Sequence, residues 1–498
     1  MKTNTLTERI AKGSTTILIF TILTMPLGYF IRFFYSRALS ISDFGLFYSA
    51  LSLFAIFSIF NDLGFGYSVL HFTPKFMKTK NYRNIWYLYK YDQIIEFATS
   101  LLIALLFILG AAYLENNYFK VSGAANIVYI LSISLIAESL LSALNNFYNA
   151  LELEFYYSSI QLLRFIFALG ISFLFWFYNK SEIVYFALAW AASYVITTLI
   201  YSYLLKNKTK YLRHKLSWDK KLFKTMQVYA LPTLISASLY NLIIYTDSIA
   251  LTLFRGVSEV GVYSVIFPIA SISGVFLHPI NKFLMPLISG LTAKDNFDLS
   301  NIVNSIFKVI PTLGVYFALF IAIFPQEITQ ILFGQKWAEY VLIALPVFAF
   351  GYIFSLLMSY LVNVLDGMGL VKKKLKIALT ASIVNLLLVF SLTYQFGLLG
   401  TIYANIVTSI ISVVLFSIVI KERVKFNIPY YYYLKIIWFS SILFFLIKKV
   451  SFKTPSTLNL IIYGIVYSTV FICVSLYLGM LDKPVLKILT SMFSKRNE

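Results

Sequence analysis

Charge is scarce in this sequence. Only 12% of its 498 residues are Asp, Glu, Lys or Arg, against about 25% in an average soluble domain, which excludes an ordinary water-soluble globule. Cysteine is almost missing: Cys473 stands alone in an apolar run, so the chain has no intrachain disulfide and no thiolate pair for a metal, and the residue reads as a small apolar side chain. The three histidines, His71, His214 and His278, are scattered without ligand spacing. No GxxxxGK[ST] loop occurs, which excludes ATP hydrolysis by that route. A membrane glycosyltransferase or ligase would need acidic pairs in sizeable loops, and the longest loop here is basic. The short alternating segments of an outer-membrane barrel are also lacking. No Ala-x-Ala site follows the first apolar run, so that run is expected to stay as a helix.

What the sequence has is apolar length. Runs near the ~20 residues that cross a bilayer fall at about 14–34, 45–69, 94–113, 126–146, 157–177 and 183–205. After an interruption they resume at 228–246, 261–283, 302–324, 340–361, 375–392 and 398–420, and two more follow at 430–447 and 458–481. The interruption carries Lys206, Lys208, Lys210, Arg213, Lys215, Lys220, Lys221 and Lys224. The expected fold is therefore an all-α polytopic membrane protein of fourteen transmembrane helices. Residues 1–205 form an N-terminal lobe of helices 1–6, and 206–224 a basic cytoplasmic linker. Residues 225–425 form a C-terminal lobe of helices 7–12, and 426–498 hold helices 13 and 14 and a cytoplasmic tail.

The net charge of +20 lies mostly in short loops between apolar runs, the pattern set by membrane orientation and not by nucleic acid. With both termini cytoplasmic, the inner segments collect Lys75, Lys78, Lys80, Arg83 and Lys90, the eight linker charges, Lys372, Lys373, Lys374 and Lys376, and Lys421, Arg423 and Lys425. Lys448, Lys449 and Lys453 are the exception, since they fall outside. The expected location is the cell membrane.

An internal repeat organises the chain. Ser42-Asp-Phe-Gly-Leu-Phe47 is matched 216 residues later by Ser258-Glu-Val-Gly-Val-Tyr263, each behind an apolar run with an arginine, Arg37 or Arg255, before the turn. With six spans per half the copies face one side of the membrane, so the repeat is parallel, with a pseudo-two-fold axis along the membrane normal.

Charges inside apolar runs are costly and call for a functional hypothesis. Arg32, Arg37, Arg164 and Lys282 suit an anionic group such as a diphosphate, because guanidinium forks offer paired donors and keep their charge. Asp62, Glu96, Glu138 and Asp247 suit either buried pairing with these cations or coupling to Na+ or H+. Arg37 near a span end also has the simpler reading of snorkelling to the interface. No metal site and no tightly bound cofactor is expected.

Several stretches resemble the polysaccharide-transporter family of the multidrug/oligosaccharidyl-lipid/polysaccharide exporter superfamily, which includes O-antigen-type oligosaccharide flippases. They are Arg37-Ala-Leu-Ser-Ile-Ser-Asp-Phe-Gly-Leu-Phe47, Asp62-Leu-Gly-Phe-Gly66, Tyr229-Ala-Leu-Pro232 followed by Asp247, Gly261-Val-Tyr263, Leu332-Phe-Gly334, Leu365-Asp-Gly-Met-Gly369 and Phe396-Gly-Leu-Leu-Gly400. The resemblance implies a MATE-like arrangement of two six-helix lobes around a cavity, with two added helices beside it. It implies a flippase moving a polyprenyl-phosphate-type lipid-linked oligosaccharide or repeat unit to the outer leaflet by alternating access. Cationic cavity residues would grip the phosphate, which here points to Arg32, Arg37, Arg164 and Lys282. Partners implied are the lipid-linked oligosaccharide, the bilayer, and a polysaccharide polymerase or glycosyltransferases. The alternatives are a multidrug exporter of organic cations and a membrane assembly partner of a polysaccharide synthase.

Overall fold

The computed structural model describes residues 6–212, 214–215, 217–291, 296–450 and 457–477. The regular structure there is helical. The first eight long helices are α1 (Leu6–Ala38), α2 (Ile41–Ser58), α3 (Phe65–Lys78), α4 (Tyr82–Tyr113), α5 (Ala124–Ala150), α6 (Glu154–Phe177), α7 (Ile183–Lys208) and α8 (Lys220–Arg255). The rest are α9 (Val257–Ala270), α10 (Ile272–Ser289), α11 (Asn296–Ile323), α12 (Pro325–Phe333), α13 (Ala344–Gly367), α14 (Val371–Phe396), α15 (Leu398–Lys421), α16 (Tyr430–Val450) and α17 (Thr457–Tyr477). Twelve described helices are long and apolar enough to cross a membrane, and the bent pair α9 and α10 makes up to thirteen spans. The expected seventh span, 228–246, lies on α8, where the side chains of 235–244 fall outside the described residues.

Two of the expected spans are broken. The run at 45–69 stops at Ser58 and resumes at Phe65, because Leu63 and Gly64 take left-handed conformations, φ 46° and 82°, and Asp62 Oδ1 accepts from Gly64 N at 2.8 Å. The apolar average over that window hides a local stop made by an Asx-type turn and a glycine. The run at 261–283 bends by 41° between α9 and α10, three residues after Pro268, whose ring opposes a straight continuation.

The repeat explains how α2 and α9 begin. Ser40 caps α2: its Oγ accepts from Asp43 N at 3.0 Å and donates to Asp43 Oδ2 at 2.7 Å. An acid in the first turn also complements the helix dipole. Glu259 holds the same position in α9, which starts after Gly256 at φ 92°. Two turns of chain meet here reciprocally. A Cβ on Gly45 would lie 1.9 Å from the carbonyl O of Val257, the first residue of α9. A Cβ on Gly261 would lie 2.9 Å from the carbonyl O of Ile41, the first residue of α2. Contact of i with j matched by j with i is the mark of a two-fold relation, here between the two copies of one motif.

The chain divides into two compact units, 1–261 and 262–498. In the first, α4 packs on α5, α5 on α7, α7 on α6 and α6 on α1, while α8 lies against α2 and α3. Its core gathers Tyr87, Tyr91, Leu144, Phe147, Tyr148 and Met226. Buried tyrosines keep their hydroxyls satisfied, as where Tyr148 donates to Tyr201 O at 2.7 Å. In the second unit α13 packs on α10, α11 and α15, and α15 on α14. The last two helices dock on α11 through Tyr433, which donates to Phe307 O at 2.8 Å, and Tyr467, which donates to Tyr316 O at 2.6 Å.

Candidate functional site

Two adjoining cavities open inside the first unit. One, of about 250 Å³, is lined by Arg32 of α1, Tyr48 and Ser52 of α2, Glu138 of α5, and Trp190 and Tyr194 of α7. The other, of about 240 Å³, is lined by Asn61 and Asp62 of the α2–α3 break, Glu96 of α4, and Glu138, Ser139 and Ser142 of α5. Ala55, Glu138 and Tyr245 border both. The space is thus cationic at the Arg32 end and acidic at the Asp62 and Glu96 end, with Glu138 between them.

Arg32 is half-buried with its guanidinium carbon 4.8 Å from the centre of the Tyr48 ring. Arg164 is 3% exposed and does not itself line the cavity. Its guanidinium carbon lies 4.5 Å from the centres of the Phe165 and Trp190 rings and 4.4 Å from that of Tyr194. Aromatic faces carry negative quadrupole density, so three rings partly replace the water a buried cation loses. Arg164 Nε donates to Gln161 Oε1 at 3.3 Å, and Nη1 has no hydrogen-bond partner among the described residues. Tyr194 connects this box to the cavity, because its hydroxyl reaches the carboxyl of Glu138.

The acidic end is made by the break. Ending α2 early frees carbonyls that a continuous helix would have paired; one of them, Asn61 O, accepts from Thr99 Oγ1. Glu96 is fully buried; Ser139 donates to its Oε2 at 3.1 Å and Oε1 has no partner among the described residues. Asn61 is 5% exposed and its Oδ1 is likewise unpartnered. Gly64 holds the break on α8: besides its φ of 82°, a Cβ there would meet Ala230 O at 2.3 Å. Gly64→Ala is expected to lower stability by more than about 1 kcal/mol, since strain and collision add, read as a lower melting temperature of the purified protein.

The structure therefore brings Arg32, Asp62, Glu96 and Glu138 to one space, with Arg164 one ring behind it. Arg37 is exposed near the end of α1 and lines neither cavity. Asp247 is buried in α8, 5% exposed, and also lines neither. Lys282 lies on α10 with its side chain outside the described residues. Asp92 was missed: it is fully buried with both carboxyl oxygens unpartnered among the described residues. It stands one turn before Glu96, so the i, i+4 spacing of two acids on one helix face was its signal. Among the described residues, no cluster of three or more His, Cys, Asp or Glu side chains is placed to hold a metal ion.

Residues 10–292, more than half of the chain, match the family described as polysaccharide biosynthesis protein. The chain belongs to this family. It is similar to an uncharacterized membrane protein, MJ1068, of Methanocaldococcus jannaschii, at 26% identity over 412 residues, covering 79% of this chain and 80% of that one. Among solved structures it is similar to a lipid II flippase, MurJ, in an inward closed conformation, with TM-score 0.69 and 16% identity over 93% of this chain and 98% of that one. It is also similar to an inward-facing multidrug resistance MATE family transporter of the MOP superfamily, with TM-score 0.60 and 16% identity over 81% and 95%. Identities this low show the fold, a MATE-like polytopic one, and this family member is a multi-pass membrane protein with the architecture of flippases and transporters.

Proposed function

We propose that this protein is a flippase that carries a polyprenyl-phosphate-type lipid-linked oligosaccharide or repeat unit from the cytoplasmic to the outer leaflet of the cell membrane, without covalent chemistry. The observation that carries this reading is the polarised cavity inside a bundle of apolar helices, with Arg32 at one end and Trp190, Tyr194 and Tyr48 around it. A guanidinium grips phosphate oxygens, aromatic faces pack sugar rings, and a prenyl tail stays in lipid at no hydration cost. The family match and the fold shared with a lipid II flippase support it. Coupling to Na+ or H+ would act through the acidic end, at Asp62, Glu96 and Glu138. The distribution of lysine and arginine supports cytoplasmic termini.

The test is leaflet translocation of a fluorescent polyprenyl-diphosphate oligosaccharide by the full chain in vesicles, with and without Na+ or H+ gradients. Wild type should flip it, and Arg32→Gln should slow flipping about 10- to 100-fold, the size of a lost charge-assisted contact of roughly 1.5–3 kcal/mol. Unchanged flipping by Arg32→Gln would overturn the role given to this cavity. The acidic end favours one second reading, export of an organic cation; gradient-driven accumulation of a cationic dye, with no flipping of the sugar lipid, would establish it instead.

A further inference from the structure

We propose that a groove between α3 and α8 binds the headgroup of an anionic phospholipid of the surrounding leaflet. The groove measures about 450 Å³ and is lined by Phe72 of α3 and by Lys221, Lys224, Thr225, Val228 and Tyr229 of α8. It shares no lining residue with the two cavities of the candidate site. Its lining holds two lysines and no carboxylate. The acid nearest in sequence, Asp219, is occupied in capping α8, its Oδ1 accepting from Lys221 N and Leu222 N at 3.0 Å each.

A third lysine is held beside the groove. Lys75 Nζ donates to His71 Nε2 at 2.7 Å and lies 5.4 Å from the centre of the Phe72 ring. The His71 ring stacks on Tyr229 with centroids 4.3 Å apart. The ammonium is thus fixed to the aromatic wall of the groove instead of sweeping through solvent.

The sequence of side chains along α8 matches the depth profile of a lipid. Lys221, Lys224 and Thr225 occupy its first two turns, and Val228 and Leu231 follow, 67% and 49% exposed. From Lys221 to Leu231 the helix rises about 15 Å, which spans the passage from the headgroup layer into the hydrocarbon. The lysines lie at the helix end where Tyr87 of α4 contacts Ser217 at 2.7 Å. Tyr229 sits below them, where aromatic rings settle at the interface. A phosphodiester between Lys221, Lys224 and Thr225, with acyl chains along Phe72, Val228 and Leu231, satisfies both halves of this surface. A free anion satisfies only the first, and a zwitterionic lipid adds a second cation among the lysines.

Native mass spectrometry of the purified full chain with phosphatidylglycerol or phosphatidylcholine tests this without any transport readout, so it stands or falls independently of the proposed function. Phosphatidylglycerol should be retained in preference to phosphatidylcholine at equal concentration. Lys221→Gln/Lys224→Gln should weaken its retention roughly thirtyfold, about fivefold per lysine, while Lys372→Gln/Lys376→Gln, on another exposed basic surface, should leave it unchanged. Val228→Asp should weaken it too, and inorganic phosphate at equal concentration should not compete. Equal losses in the two lysine pairs, an unaffected Lys221→Gln/Lys224→Gln variant, competition by inorganic phosphate, or preferential retention of a polyprenyl phosphate over phosphatidylglycerol would each overturn it. All of the substituted side chains are exposed, so size-exclusion elution as in wild type is expected.

Discussion

Gly45→Ala is expected to lower stability by about 3 kcal/mol, at the upper end of what an added methyl costs in a packed interior. The reason is what the new Cβ would meet: the carbonyl O of Val257 at 1.9 Å, and the amide N of Gly261 at 3.0 Å. Both atoms are backbone, so no side chain can turn away and a whole helix start must move. Ser49 and Thr252, whose hydroxyls bond at 2.5 Å further along α2 and α8, would be pulled apart by the same shift. At roughly 2–4 °C per kcal/mol for a unit of this size, the melting temperature should fall by about 6–12 °C. Gly261→Ala should follow with a smaller loss, because its Cβ would reach Ile41 O only at 2.9 Å. Gly170→Ala is the control: nothing lies within 4 Å of its Cβ, and replacing glycine inside a helix gains about 0.5–1 kcal/mol. If Gly45→Ala and Gly170→Ala melted alike, the close crossing of α2 and α9 would be wrong.

That crossing shows how far the sequence could be read. The repeat placed Gly45 and Gly261 in corresponding positions, and the structure sets them against one another. Span positions were legible for the same reason, since lipid demands about 20 apolar residues in a row whatever the tertiary structure. The break at 59–64 was not, because hydropathy averages over a window longer than the Asp62-Leu-Gly turn. Asp92 escaped because the third apolar run begins at Ile94, which put the residue in a loop, whereas α4 is already helical from Tyr82. Arg164 sits about two turns inside its span and has less freedom than Arg32 to reach the interface, but its rings were not foreseen. Phe165 is adjacent in sequence, while Trp190 and Tyr194 come from α7, and a chain in which 18% of residues are aromatic gives no hint which of them face inward. Arg37 is exposed near the end of α1 and lines neither cavity, a position from which a long side chain can reach the interface.

Arg164→Ala is expected to have the second large effect, and on two readouts. The change removes a cation with 3% exposure from between three rings, leaving a hole and leaving the half-buried Glu138 without the positive field that Arg164 places on it. Breaking a buried charge arrangement on one side costs about 3–5 kcal/mol, so the melting temperature should fall by roughly 6–20 °C. Flipping should drop as well, because Tyr194 loses the ring contact that positions its hydroxyl toward Glu138 at the boundary of the two cavities. Arg164→Lys should recover only part of either loss: an ammonium keeps the charge but presents no flat face to three aromatic planes. Glu138→Gln separates the electrostatic share from the packing share. Placed in the Arg164→Ala background it should restore at least about 1 kcal/mol, since neighbours in one network are non-additive. Strict additivity of the two substitutions in thermal melts would show that Arg164 serves the fold alone, and that its charge does not reach the cavity where the headgroup is proposed to sit.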